Sequence, residues 1–277
     1  MNDCLEYTLV DGIKCFSPQV ANSYSDYPDG GFDLTDKNGE SSFWVRSRNR
    51  LFKRTVLQHV NRSGTTKFLE IGCGTGEFIK HIVDTDNLNI TGSEIYLKGL
   101  RYAKSSLPDV EFIQFDVTQG TIDAQFDLIV AFDVIEHIDE DIAAISNINK
   151  MLKDRGTLVV SVPQHMFLWS RLDEIVKHKR RYSRRELIDK LQANGFSVSS
   201  CTSFVFILFP LMLVSRLFDR ARGQIQSGEE DLEKRVKFSP VLDWIMDCAM
   251  RIDEALIRIG LSLPMGGTLL VVANKRG

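Results

Sequence analysis

The chain predicts an α/β fold, a mostly parallel sheet with helices on both faces, and three observations carry that reading. Short apolar runs alternate with helical stretches from Lys67 onward. One run, Phe68-Leu-Glu-Ile71, ends in three closely spaced glycines, Gly72, Gly74 and Gly76, before a helix begins. Acidic residues stand at the ends of several runs, where open α/β sheets bind ligands. Strands separated by helices of this length imply right-handed crossovers and a sheet covered on both sides. With 277 residues, 43% of them hydrophobic, the chain can build one sizeable domain with additions.

The elements follow in order. Residues 1 to about 40 are rich in Gly, Asp, Ser and Asn, include Pro28-Asp-Gly-Gly31, and predict an irregular arm. Phe43 to Leu57 predicts a helix, because Leu51, Val56, Leu57 and then Val60 recur near helical spacing among basic residues. Strands are expected at 67–71, 89–94, 110–115, 126–131 and 157–162, with helices at 76–84, 96–106 and 139–153. Ser183-Arg-Arg-Glu186 is a capping box that opens a helix ending at Asn194-Gly195. Two more strands, 196–203 and 268–273, flank an insertion at 205–266 that contains an acidic turn, Gly228-Glu-Glu-Asp231, and a helix near 240–259. The expected organisation is an N-terminal arm and lid helix over 1–60 and one domain over 61–277.

Composition limits the function. A net charge of −3 gives no general affinity for nucleic acid. Cys4, Cys15, Cys73, Cys201 and Cys248 lack paired spacing, so neither a zinc site nor a disulfide framework is expected. The cysteines and the absence of a leader-like start predict a cytoplasmic location. Phe204 to Val214 is strongly apolar but shorter than the about twenty residues that span a bilayer, and Pro210 interrupts it. It predicts a buried or lid helix; the rival expectation is peripheral membrane contact through 204–222, where Arg216, Arg220 and Arg222 follow.

Glu70 and the glycine loop give the pattern G-x-G-x-G behind an acid, rather than the G-x-G-x-x-G of dinucleotide sites. The segment Phe68 to Phe78 resembles motif I of the class I S-adenosylmethionine-dependent methyltransferases. Phe126-Asp-Leu-Ile-Val-Ala-Phe-Asp-Val-Ile-Glu-His137 resembles that family's fourth-strand motif. The resemblance implies a Rossmann-like sheet of seven strands with the last antiparallel, and S-adenosylmethionine as the cofactor. It places Glu70, Gly72, Cys73, Gly74 and Gly76 at the methionine end, Glu94 with Ile95 at the ribose, and Asp116 with Val117 at the adenine. Glu94 can also be read as a helix-N-terminal acid, and Asp116 as a turn aspartate.

Asp133, Glu136 and His137 should face the methyl-transfer centre, and three roles compete for them. An imidazole can take an acceptor's proton, which makes His137 the candidate base and Glu136 its companion. A similar E-x-x-E-H arrangement binds a divalent cation in some quinone and RNA 2′-hydroxyl methyltransferases; here the first position is aspartate, one methylene shorter, and no fourth ligand is evident, His165 and His178 being the candidates for it. A purely structural role is the third. Trp44, Arg46, His165, His178, Arg181 and Tyr182 are the expected substrate-side residues, by resemblance to bacterial relatives that act on small molecules, sugars or isoprenoid-linked acceptors. The basic run Lys177 to Arg185 is either a solvated face or a site for an anionic acceptor. The expected activity is methyl transfer to a small-molecule oxygen, the acceptor being anionic or lipid-linked. The rivals are a metal-assisted RNA-terminal methyltransferase and a membrane-surface protein without turnover.

Overall fold

The computed structural model of the protein describes residues 4–22, 32, 42–221 and 238–277. Pro28–Gly31, Arg222 and the acidic turn at 228–231 lie outside the described residues. One sheet of nine strands organises the described residues. They are β1 (Thr8–Val10), β2 (Ile13–Cys15), β3 (Thr66–Ile71), β4 (Leu88–Glu94) and β5 (Glu111–Gln114), then β6 (Phe126–Phe132), β7 (Leu152–Pro163), β8 (Phe196–Phe204) and β9 (Thr268–Lys275). Their spatial order is β1-β2-β5-β4-β3-β6-β7-β9-β8. Strands β2 to β7 pair in parallel, and β9 runs antiparallel between β7 and β8.

The expected seven strands are all present, and two more precede them. Residues 1–40 are therefore not wholly irregular: Asp11 and Gly12, both at positive φ, make a two-residue turn between β1 and β2. Asp-Gly is the residue pair that such a hairpin turn selects. β2 then adds to β5, matching Lys14 to Ile113, and covers what would have been the open edge of the sheet.

Alternate residues of the central strands supply two separate cores, which is why these strands read as continuous apolar runs. On one face, Phe68, Leu128, Val130 and Phe132 pack with α1 (Phe43–Leu57), α2 (Ile79–Ile82) and α3 (Leu97–Ser106). On the other, Leu69, Ile71, Ile129 and Ala131 pack with α4 (Asp141–Met151) and α6 (Arg184–Ala193). The short helix α5 (Arg171–Ile175) lies between α4 and α6 in sequence. Phe52 of α1 stacks on Phe132 with centroids 4.0 Å apart, and Phe78 meets Phe132 edge-on at 4.9 Å.

Among the described residues, the insertion contributes two helices, α7 (Phe209–Ala221) and α8 (Pro240–Arg258). α8 starts with Ser239 as its cap and Pro240 in the first turn, a position that needs no N–H. Three of its acidic side chains turn inward onto α1: Asp243 pairs with Arg46, and Arg50 meets Asp247 at 2.9 Å and Glu254 at 2.7 Å. Asp253, fully buried, accepts from the backbone N–H groups of Phe206 and Ile207 and so ties the start of α7 to the middle of α8. The apolar stretch Phe204–Val214 is thus split between a strand end and a helix start; Phe204 is buried, whereas Leu211 and Val214 are exposed.

Candidate active site

Chain order runs β3, β4, β5 outward in one direction and then jumps back to β6 and β7 on the other side of β3. The reversal leaves a crevice at the carboxyl ends of β3 and β6, the place where such sheets bind ligands. The loops there are in tight contact. Gly72 has φ +71°, and a Cβ added to it would lie 2.5 Å from a Val134 methyl. At Gly74, φ +55°, an added Cβ would meet among the described residues only Phe32, at 3.9 Å, so no described side chain fills the space beside this backbone.

Four acids arrive at this crevice, each from its own strand end. Glu70 is buried and its Oε2 has no hydrogen-bond partner. Burial, reinforced by neighbouring Glu94 and only partly opposed by Arg48, pushes its carboxyl up to about 8. Glu94 accepts from three backbone N–H groups, Gly74 at 3.1 Å, Ile95 at 2.8 Å and Tyr96 at 3.2 Å. It therefore clips the glycine loop to the start of α3, and burial pushes its carboxyl up against those three donors. Cys73 is buried in the same loop with its thiol pushed up by burial, and its backbone N–H donates to Ser93. Asp116 accepts from the backbone N–H and hydroxyl of Thr118, the turn geometry foreseen as its alternative, and Val117 is held below it by Asn147. Asp133, at φ +55°, accepts from Ser161 Oγ at 2.9 Å and from Arg48 at 2.7 Å.

Arg46 was the expected substrate-side arginine of this segment, yet Arg48 is the α1 side chain that reaches the crevice. The rotation of α1 decides this. Arg46 and Arg50, four residues apart, share the face toward α8, while Arg48 and Phe52 share the face toward the sheet. Trp44 stacks on Phe204 at 6.3 Å, also within the body of the protein.

A second cluster lies beside the first. Glu136 is fully buried and neither carboxylate oxygen has a hydrogen-bond partner; burial, then the charge of Asp133, pushes its carboxyl well above the usual range. The His178 ring stands between two acids: Nδ1 lies 2.9 Å from Asp173 and Nε2 lies 3.8 Å from Glu136. Its ring meets that of His137 edge-on at 4.8 Å. Ligand atoms of Glu136, His137 and His178 all lie within 4.8 Å of one another, a spacing that can hold a cation. The set differs from the expected Asp133, Glu136 and His137, because Asp133 is committed to Arg48 and Ser161.

Asp173 organises this cluster and was not foreseen. It is fully buried and accepts from Arg181 Nε at 2.7 Å, from Arg181 Nη2 at 3.1 Å and from the Ser170 backbone at 2.8 Å, in addition to His178. The legible signal was Ser170-Arg-Leu-Asp173, a capping box like the one at Ser183.

The basic run does not form an open anion site. Arg181 is buried against Asp173, Arg180 reaches Asp141 at 3.2 Å, and Arg184 donates to the Cys201 and Leu263 carbonyls. Tyr182 is fully buried, its hydroxyl donating to Asp141 at 2.6 Å, so the polar groups of Arg181 and Tyr182 are taken up by Asp173 and Asp141 within the protein. His165, by contrast, sits at the carboxyl end of β7 with φ +65° and a buried Nε2 lacking a partner. Burial and then Arg181 lower its pKa, which keeps the imidazole neutral. Strained backbone at Asp133 and His165, on adjacent strand ends, is the kind that concentrates at functional sites.

The donor set suits a ligand that carries hydroxyls and a positive charge: acids at four strand ends, one of them orphaned, around a backbone open at Gly74. Comparison with known proteins agrees. A family model described as a methyltransferase domain matches residues 39–200, more than half of the chain. A Mycolicibacterium smegmatis protein named as a probable S-adenosylmethionine-dependent methyltransferase is 27% identical over 169 residues, covering 57% of this chain and 61% of that one. The malonyl-[acyl-carrier protein] O-methyltransferase of a Paenibacillus species is 27% identical over 38% of this chain and 42% of its own. The chain thus spans about half the length of the curated relatives it matches. Among solved structures, a chain from the complex of the Haloferax volcanii Trm112 methyltransferase activator with its methyltransferase superposes with a TM-score of 0.58 at 17% identity, over 89% of this chain and 98% of that one.

Proposed function

Because this chain belongs to the class I S-adenosylmethionine-dependent methyltransferases, we propose that it methylates an oxygen of a small-molecule acceptor, with His137 taking the acceptor's proton. The observation that carries the reading is the crevice at β3 and β6, where Glu70, Glu94 and Asp133 surround the open Gly74 backbone and the Glu136–His137–His178 cluster adjoins. Bound there, S-adenosylmethionine supplies a sulfonium methyl for direct displacement. Glu70 offers a buried carboxylate to its positive charge, and Glu94 has lone pairs left for ribose hydroxyls beyond its three backbone donors. The protein's main contribution is to orient donor and acceptor and to exclude water.

A hydroxyl acceptor must also lose a proton. In this reading His137 receives it; support comes from the adjoining His178, whose ring Asp173 holds at Nδ1 while Nε2 faces Glu136. His165, neutral and unpartnered at the next strand end, lines the acceptor side. Two relatives named as O-methyltransferases, a malonyl-[acyl-carrier protein] O-methyltransferase and a ubiquinone biosynthesis O-methyltransferase, support an oxygen acceptor. The expected result of His137→Ala is a fall in kcat of ~10²–10⁴ with cofactor affinity unchanged by calorimetry. A loss under about tenfold would remove His137 from this role.

One observation favours a second reading. Glu136, His137 and His178 can hold a divalent cation that would orient and acidify the acceptor hydroxyl. Activity that vanishes in a chelator and returns with Mg²⁺ or Zn²⁺ is the outcome expected of that reading; an unchanged rate would retain the base mechanism.

A further inference from the structure

α8 is built inside out for a helix facing water. A surface helix normally turns its apolar stripe to the core and its charges to solvent. Here Asp243, Asp247, Asp253 and Glu254 point inward and are satisfied by Arg46, Arg50 and backbone N–H groups. The outward stripe is apolar for five turns. Val241 is 69% exposed, Trp244 66%, Ile245 51%, Ile252 49% and, just past the helix end, Ile259 73%. Cys248 and Ala255 fall on the same stripe, so no charge interrupts it. α7 repeats the pattern on a smaller scale, with Leu211, Val214 and Leu217 each about half exposed.

We propose that α8 docks this protein on an anionic bilayer surface, the Trp244 stripe lying in the headgroup layer.

Three features favour a bilayer over a second copy of the chain. The exposed charges bordering the stripe are both arginines: Arg251, which also reaches Asp247, and Arg258. The acids of α8 are all turned away from that surface, so two copies meeting face to face would oppose arginines with no exposed α8 acid to answer them. Anionic headgroups answer them directly. Trp244 stands in the first turn of the stripe, and an indole has an apolar body and a polar edge suited to the headgroup level. Finally, 19 residues are ample for a helix lying flat, whereas no helix among the described residues is long and apolar enough to cross a membrane.

The test uses the full chain and sedimentation with vesicles of phosphatidylcholine alone or mixed with phosphatidylglycerol. Binding to the mixed vesicles should be at least about tenfold tighter, reflecting electrostatic attraction added to apolar burial. Trp244→Glu with Ile252→Glu should abolish binding without moving the unfolding midpoint, since both side chains are exposed. Arg251→Gln with Arg258→Gln should erase the preference for anionic vesicles. Failure to bind either vesicle overturns the proposal, as does binding that survives the double glutamate variant. So does a dimer in sedimentation equilibrium that Ile252→Glu dissociates, which would assign the face to a second copy.

Discussion

Asp173→Ala should destabilise the protein by about 3–5 kcal/mol in denaturant unfolding, because it leaves the buried Arg181 guanidinium without its counter-charge. Surface ion pairs such as Arg101–Asp11 should contribute little when cut, since both partners are more than half exposed. What distinguishes Asp173 is that every partner is fixed by the same carboxylate: Arg181, His178 and the N-terminus of α5 through Ser170. Burial alone would raise its pKa, but the hydrogen bonds from His178 and Arg181 outweigh it and hold the carboxyl well below the usual range. The sign of the pH dependence follows. A carboxyl with a depressed folded pKa contributes stability that is present above its unfolded value near 3.8 and is lost as pH falls below that. Wild type should therefore lose stability steeply below about pH 4, and Asp173→Ala should lose less over the same range. Equal acid slopes for the two proteins would show that Asp173 is not the linked group.

The variant also separates structure from catalysis. If Asp173 orients His178, Asp173→Asn should fold with a modest stability loss and yet shift the pH profile of kcat, whereas a purely structural aspartate would leave that profile in place.

The central strands were legible because each supplies two cores, so Phe68 to Ile71 and Phe126 to Phe132 are apolar at successive positions. β1 and β2 escaped because three-residue strands are too short to show a period, although Asp11-Gly12 announced their turn. The strand-end acids were legible from the glycine loop and the family resemblance, since both tie residue type to a place at the carboxyl edge. The α1 contacts were not. Choosing Arg48 over Arg46 depends on how α1 rotates against Phe132, which is settled by tertiary packing and not by spacing. For residues 177–185 charge density left a solvated face and an anion site both open; what it could not show is that Asp139, Asp141 and Asp173, from other parts of the chain, pair with Lys179, Arg180 and Arg181. The face of α8 could have been read from Val241, Ile245, Cys248, Ile252 and Ile259, which recur at helical spacing; only the structure shows that this stripe faces outward.

Cofactor binding at pH 7 should release close to one proton, and the source should be Glu70. In the free protein its carboxyl, pushed up to about 8 by burial and by Glu94, is mostly neutral at that pH. Its Oε2 faces no donor among the described residues. S-adenosylmethionine brings a sulfonium and an ammonium group into the same crevice, and a nearby positive charge favours the ionised form. The proton must then leave. Calorimetry in two buffers of different ionisation enthalpy measures this directly: the apparent enthalpies should differ by about one proton's worth at pH 7 and converge above pH 9, where Glu70 is already ionised. Glu70→Gln should remove the difference and weaken binding. The same shift has a consequence without ligand. A carboxyl whose folded pKa is raised binds more protons folded than unfolded, so stability is full below pH 4.5 and declines as pH rises to about 8. That interval corresponds to at most roughly 5 kcal/mol. Glu70→Gln should accordingly be more stable than wild type at pH 9 and little different at pH 5. Identical enthalpies in both buffers at pH 7, together with parallel stability curves, would show that Glu70 is already ionised in the free protein and that the cation meets a carboxylate prepared for it.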